Sequence, residues 1–193
     1  MSAGATSEQK LIRGARAGDQ DAFAELVVIH ADRVLGALRH FGLDASEADD
    51  VAQEVFLRAW RSLARFQERA RLSTWLYRIA FNEAQRHISR RAPPRVEFDP
   101  ARDDPIVSLP EAPHLGPEAQ ALDHEFQLIL EQALAQLPGE WRAAVVLRDI
   151  EGLSTQEAAQ VVGARQAAFK SRLHRGRMQL GALLEPYLKL EEG

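Results

Sequence analysis

Seven of the nine prolines in this 193-residue chain lie between Ala92 and Glu118: Pro93, Pro94, Pro100, Pro105, Pro110, Pro113 and Pro117. Proline fixes φ, lacks the amide donor and disfavours helix at the residue before it, so so dense a run rules out a continuous helix or a central strand. The same stretch carries six acids against Arg95 and Arg102, a net charge of −4, with no sustained period. It reads as an extended linker. On both sides apolar residues recur at three and four, and nowhere do they alternate as in a strand. The chain is therefore expected to be all-α, two small helical domains joined by a Pro-rich acidic linker. The expected boundaries are 1–92, 93–117 and 118–193.

In the first block, one helix is expected from about Glu8 to Ala17, ending at Gly18, and a second from near Asp19 with Phe23, Leu26, Val27, Val34, Leu35 and Leu38 on one side. A third spans about Ser46 to Leu63. Its stripe is Ala48, Val51, Ala52, Val55, Phe56, Ala59, Trp60 and Leu63, and either Asp44 with Glu47 or Ser46 with Asp49 could form the opening capping box. The opposite face shows Asp49, Asp50, Gln53, Glu54 and Arg58. A fourth helix starts at Ser73 or Thr74 and runs to about Arg90, where Pro93 stops it.

The second block opens with a helix from about Pro117 to Gln136 and another after Pro138 that runs to about Ile150. Ser154-Thr155-Gln156-Glu157 then has the form of a capping box, and Gly163 suits the left-handed position that ends a helix. Ala159, Gly163 and Phe169 supply a small contact residue, a turn and an anchor, the pattern of a helix-turn-helix. The second helix, about Gln166 to Leu180, presents Lys170, Ser171, Arg172, His174, Arg175 and Arg177. Such a basic face suits phosphates and guanine edges in a DNA major groove.

Charge is segregated. The net charge of −4 conceals +7 over Arg58–Arg91, +5 over Arg165–Arg177 and −5 over Asp44–Glu54, which suggests three surfaces with different partners. The absence of cysteine excludes a disulfide framework and a thiolate metal site. No apolar stretch is long enough for a membrane span and MSAGATSEQK lacks the form of a signal peptide, so the expected location is cytoplasmic. The histidines, at 30, 40, 87, 114, 124 and 174, show no metal-ligand spacing, and no glycine-rich phosphate loop is present. No catalysis, cofactor or metal is expected.

The segment RLSTWLYRIAFNEAQRHISRR, Arg71–Arg91, raises a separate question. Leu72, Leu76, Ile79, Ala80, Ala84 and Ile88 already form a complete core stripe. Trp75, Arg78, Asn82 and Arg86 fall on another flank, with Tyr77 and Phe81 near its border; Phe81 is assigned to the core. Aromatics interleaved with arginine and asparagine have the chemistry of single-strand capture: rings stack on bases, an amide reads an edge and guanidinium groups hold the backbone. Each stacked base is worth roughly 1–3 kcal/mol, whereas extruding one costs a few kcal/mol. Such a flank stabilises an opened strand without melting a duplex unaided.

GDQDAFAELV (18–27), ADDVAQEVFLRAW (48–60), STWLYRIAFNEA (73–84), and GLSTQEAAQVVG followed by FKSRLHRGR (152–163, 169–177) occur in the order and at the separations found in bacterial sigma factors of the extracytoplasmic-function (ECF) group, within the sigma-70 family. The resemblance covers Gly18 to Leu180. It implies a region 2 and a region 4 that join core RNA polymerase, through its β′ clamp and β flap, and direct it to promoters. It implies that Asp49, Asp50, Gln53, Glu54 and Arg58 meet the clamp coiled coil. It places Phe66, Arg69, Arg71, Trp75, Tyr77, Arg78, Asn82 and Arg86 at the minus-ten element, with Phe66, Tyr77 and Asn82 in the pocket for a flipped base and the loop Gln67–Leu72 as its gate. Arg165, Gln166, Lys170, Ser171, Arg172, His174 and Arg175 would face the minus-thirty-five element. An anti-sigma factor covering both domains is the regulator that the resemblance implies, and the acidic linker would thread a basic channel of the polymerase.

Two departures bear on specificity. The capture loop reads QERAR (67–71) without the Gly-Asp of many relatives, and the turn before the recognition helix reads ARQAA (164–168) without their Pro or Gly-Thr. The residues leave a second reading open: a helix-turn-helix repressor or activator acting as a dimer, with a sensor or dimerisation unit in front. That reading leaves the Trp75 flank without a purpose.

Overall fold

The computed structural model describes residues 3–68, 70–91 and 124–188. The helices are α1 (Ala3–Arg16), α2 (Gln20–His40), α3 (Ala45–Ser62), a 3-10 turn (Leu63–Arg65), α4 (Leu72–Arg91), α5 (His124–Ala135), α6 (Gly139–Val145) running into a π-helical turn (Val146–Ile150), α7 (Thr155–Val162) and α8 (Gln166–Leu188). No strand occurs among the described residues.

Local chemistry sets the helix starts. The Asp19 side chain accepts from the Asp21 and Ala22 amides and opens α2. Of the two capping candidates for α3, Asp44 with Glu47 is used: the Glu47 amide donates to Asp44 Oδ1 at 2.9 Å and the Asp44 amide to Glu47 Oε2 at 3.0 Å. Ser154 and Glu157 form the same reciprocal pair before α7. Gly163 ends α7 at φ 69°, a left-handed conformation that costs a side-chain-bearing residue more.

In the first block, α1, α2, α3 and α4 pack around Leu26, Val34, Leu38, Val55, Leu63 and Leu76. The α3 stripe is buried at Ala48, Val51, Ala52, Val55 and Ala59, but Phe56 and Trp60 remain half-buried at its edge. In the second block, α8 crosses α5, α6 and α7, and Phe169 is fully enclosed as the anchor of the helix-turn-helix. Burying a side chain of that size contributes about 1.5–3 kcal/mol. α8 extends two turns past the expected end, through Pro186. Pro186 lies in the last turn, so the amide bond it forfeits and its crowding of the carbonyl four residues back disturb only the helix end.

The two blocks are not separate in space. α4 packs on α7, α2 on α5 and on the π-helical turn, and the buried apolar residues of both form one contiguous core. The linker, 92–118, and the expected helix start at Pro117 lie outside the described residues.

Candidate nucleic-acid interface

The α4 flank divides into an open part and a covered part. Arg71, Arg78, Asn82 and Arg86 are exposed. Glu83 receives Arg86 at 2.7 Å and Arg58 at 2.9 Å, which ties α3 to α4 through surface pairs that each contribute little. At the helix end, Glu47 receives Arg91 at 2.6 Å and contacts His87 at 3.2 Å.

Three expectations on this flank need correction. Trp75, placed on an exposed surface by period, is half-buried because its ring packs on Phe66, centroids 5.1 Å apart and planes tilted 41°. Phe66 is buried where the 3-10 turn folds the chain back. Tyr77 is only 2% exposed, and its hydroxyl donates to Glu151 of the second block. It therefore does not line an accessible pocket in this conformation. Phe81 behaves as core, meeting Phe41 edge-on at 5.6 Å. Arg69 lies outside the described residues.

What covers Tyr77 was not legible from the first block. Thr74 Oγ1 donates to Glu157 Oε1 at 3.3 Å, so Glu157 both caps α7 and reaches across to α4. Between the blocks lies a cavity of about 240 Å³, walled by Phe66, Thr74, Trp75 and Arg78 on one side and Gln160 and Val161 on the other. Burial raises the Tyr77 hydroxyl well above its ordinary pKa, and the neighbouring Glu151 charge adds to this. Burial likewise holds the Glu151 carboxyl above the ordinary carboxylate range, outweighing the Tyr77 hydrogen bond and the charge of Arg33. At Glu157 burial pushes upward too. There the hydrogen bonds from Ser154, with Thr74 and the Arg71 charge adding, bring the carboxyl below its ordinary value.

On the recognition helix, Arg165, Gln166 and Lys170 are exposed, while Ser171, Arg172, His174 and Arg175 are half-buried along its side. Arg172 Nε meets Glu140 at 3.1 Å. Arg177, which the sequence places on the same basic face, is held by both oxygens of Asp149 at 2.6 and 2.9 Å and so serves the fold. The exposed cations cluster at the start of α8, the end that enters a major groove in helix-turn-helix proteins.

Asp49, Asp50, Gln53, Glu54 and Arg58 all stand exposed on α3. The periodicity missed what adjoins them: an apolar groove of about 450 Å³ formed by Phe23, Phe56, Leu57 and Trp60, with Gln53 on its rim. Leu57, 47% exposed, was the signal, since it is the one large apolar residue of α3 outside the core stripe. Among the described residues there is no cluster of His, Cys, Asp or Glu that could hold a metal ion, and no helix is long and apolar enough to cross a membrane.

Two family models match the chain: Sigma-70 region 2 over residues 26–93 and Sigma-70 region 4 over residues 127–180. It is 35% identical to the RNA polymerase sigma-H factor of Pseudomonas aeruginosa, across 94% of this chain and 96% of that one. It is 31% identical to the ECF RNA polymerase sigma factor SigW of Bacillus subtilis, across 89% and 94%. Among solved structures, CnrH in complex with the cytosolic domain of CnrY is similar, with a TM-score of 0.65 and 28% identity over 93% of this chain and 98% of that chain.

Proposed function

This chain belongs to the extracytoplasmic-function group of the sigma-70 family, and we propose a specific division of its surface among the partners of such a factor. It is an alternative sigma factor: it binds core RNA polymerase and directs promoter recognition and strand opening. The reading of its first block as a sensor or dimerisation unit gives way, because residues 26–93 match region 2. In our assignment residues 1–92 carry region 2 and 118–193 region 4, with 93–117 between them.

The exposed acids Asp49, Asp50 and Glu54, with Gln53 and Arg58, dock on the polymerase clamp. Complementary charge there steers encounter and fixes orientation more than it adds raw affinity. Arg71, Arg78, Asn82 and Arg86 hold the opened minus-ten strand, with the Trp75–Phe66 pair as the stacking platform beneath it. Tyr77 joins this site only when the second block moves away. Arg165, Gln166 and Lys170 enter the major groove of the minus-thirty-five element, flanked by Ser171, Arg172, His174 and Arg175. An anti-sigma factor is the regulator that fits this arrangement; the similar CnrH is itself held by a second protein.

The observation that carries the minus-ten assignment is Asn82, an exposed amide set between two exposed arginines one turn away on either side. Run-off transcription with core polymerase on a randomised promoter library tests the reading. The wild-type chain should select two elements, and Asn82→Ala should lose discrimination in the downstream one while still co-purifying with core. Loss of core binding by Asn82→Ala would make the residue structural instead.

A further inference from the structure

Among the described residues, one other than glycine has a positive φ: Glu68, at 53°, between the 3-10 turn and α4. In this left-handed region a side chain crowds the following carbonyl, so glutamate holds it only where neighbours fix it. Arg16, in the last turn of α1, donates from Nη1 to Glu68 Oε1 at 3.1 Å, across 52 positions of sequence. α1 is itself firmly seated. Ile12 and Ala15 are buried, Glu8 Oε1 lies 2.8 Å from Nε2 of the buried His30, and α1 touches the 3-10 turn. At Gly14 a Cβ would come within 3.1 Å of the Ala22 Cβ, so α1 and α2 approach closely there. On the other side of Glu68, Phe66 is buried against Trp75 and Leu72 is buried at the start of α4. Between Phe66 and Leu72 none of the described residues is buried, and Arg16 reaches this stretch from α1.

We infer that Arg16 is a positioning residue for the loop before α4: by holding the Glu68 carboxylate it keeps the loop in its left-handed turn, and so sets which base of the opened strand the loop accepts. The inference rests on the assignment of this loop and the α4 flank to the minus-ten strand. It gives α1, which lies outside the residues 26–93 matched to region 2, a part in what region 2 reads. The pair also neutralises an acid that would otherwise face an incoming phosphate backbone. An exposed pair adds little to global stability, so the helices stay folded without it. What it can move is the share of loop conformations, because a left-handed residue with a side chain is disfavoured on a similar scale. Losing the pair should therefore change base preference by about two- to fivefold, the population shift that one exposed ion pair can hold.

The test is run-off transcription by core polymerase loaded with the full-length chain, on a library randomised over the minus-ten element with the upstream element fixed. Arg16→Ala should flatten the base preference at one position and leave the other positions, core co-purification and the thermal midpoint as in the wild type. Arg16→Lys, which keeps the charge, should retain most of the preference. Glycine adopts the left-handed turn freely, so in a Glu68→Gly chain the further change Arg16→Ala should have no effect. A wild-type preference in Arg16→Ala overturns the proposal. So does an equal loss at every position with a lowered thermal midpoint, which would make Arg16 a residue of the fold alone, and so does a further shift on adding Arg16→Ala to Glu68→Gly. Asn82→Ala on the same library separates the two possible failures. If it shifts the preference and Arg16→Ala does not, only the positioning role is wrong; if neither shifts it, the minus-ten assignment itself has failed.

Discussion

The two surfaces proposed to meet nucleic acid are built from similar residues and held in opposite states. On α8 the exposed cations stand on a helix whose underside is sealed by Phe169. On α4 the cations are equally exposed, but the aromatic part beside them is covered: Trp75 by Phe66, Tyr77 by Glu151. The difference follows from what each must bind. A duplex offers its phosphates and groove edges ready-made, so a rigid open helix suffices. An unpaired strand offers apolar base faces, and the rings that receive them would be exposed hydrophobic surface at all other times. Tyr77 is kept from water by the chain's own second block, and Trp75 is partly covered by Phe66 of the first.

The largest effect expected from disturbing this contrast is at its rigid side. Phe169→Ala should cost about 3–5 kcal/mol, seen as a lowered thermal midpoint and loss of duplex binding. Asn82→Ala should leave folding and duplex binding alone and weaken single-strand capture up to about tenfold, the scale of one polar contact, measured by anisotropy with core polymerase present. Arg172→Ala should lower the slope of log affinity against log salt for duplex DNA by about one unit; equal slopes would show that its pairing with Glu140 keeps it off the phosphates.

The smallest effect is a pH dependence of the closed state, in which the two blocks pack together. Glu151, facing Tyr77 and Arg33, has its carboxyl raised by burial, so its contribution to the closed state is present at low pH and lost as pH rises through that raised value. His40, facing Glu131 and Arg39, is lowered by burial from 6.5 and acts in the opposite sense, destabilising the fold as pH falls. In a His40→Asn background, energy transfer between dyes on Ala64→Cys and Met178→Cys, exposed positions in the two blocks, should therefore rise modestly from pH 8 to pH 5. Adding Glu151→Gln should flatten it.

Legibility in the sequence followed the range of the interaction. The capping box at Ser154, the turn at Gly163 and the anchor at Phe169 are local, and the starts of both helices of the helix-turn-helix were placed from them within a residue, although not the end of α8. The α3 stripe was read correctly for the same reason, as was the exposure of Asp49, Asp50, Gln53 and Glu54. The cover over α4 joins Tyr77 to a residue 74 positions away, and no period or motif carries such a pairing. Tyr77 was placed at the border of the open flank, and its position on α4 says nothing of what another block lays over it. Phe56 and Trp60 continue the α3 stripe in sequence yet border an open groove, which none of the described helices fills.

The claim that matters most is that the α4 flank holds the opened strand. It is tested by placing 2-aminopurine at successive positions of the minus-ten non-template strand of a transcribed promoter and following its fluorescence on adding polymerase loaded with this chain. The account predicts a rise at one position with the wild-type chain and with Arg172→Ala at saturating concentration, and no rise with Asn82→Ala bound equally to core. A full rise with Asn82→Ala would contradict it.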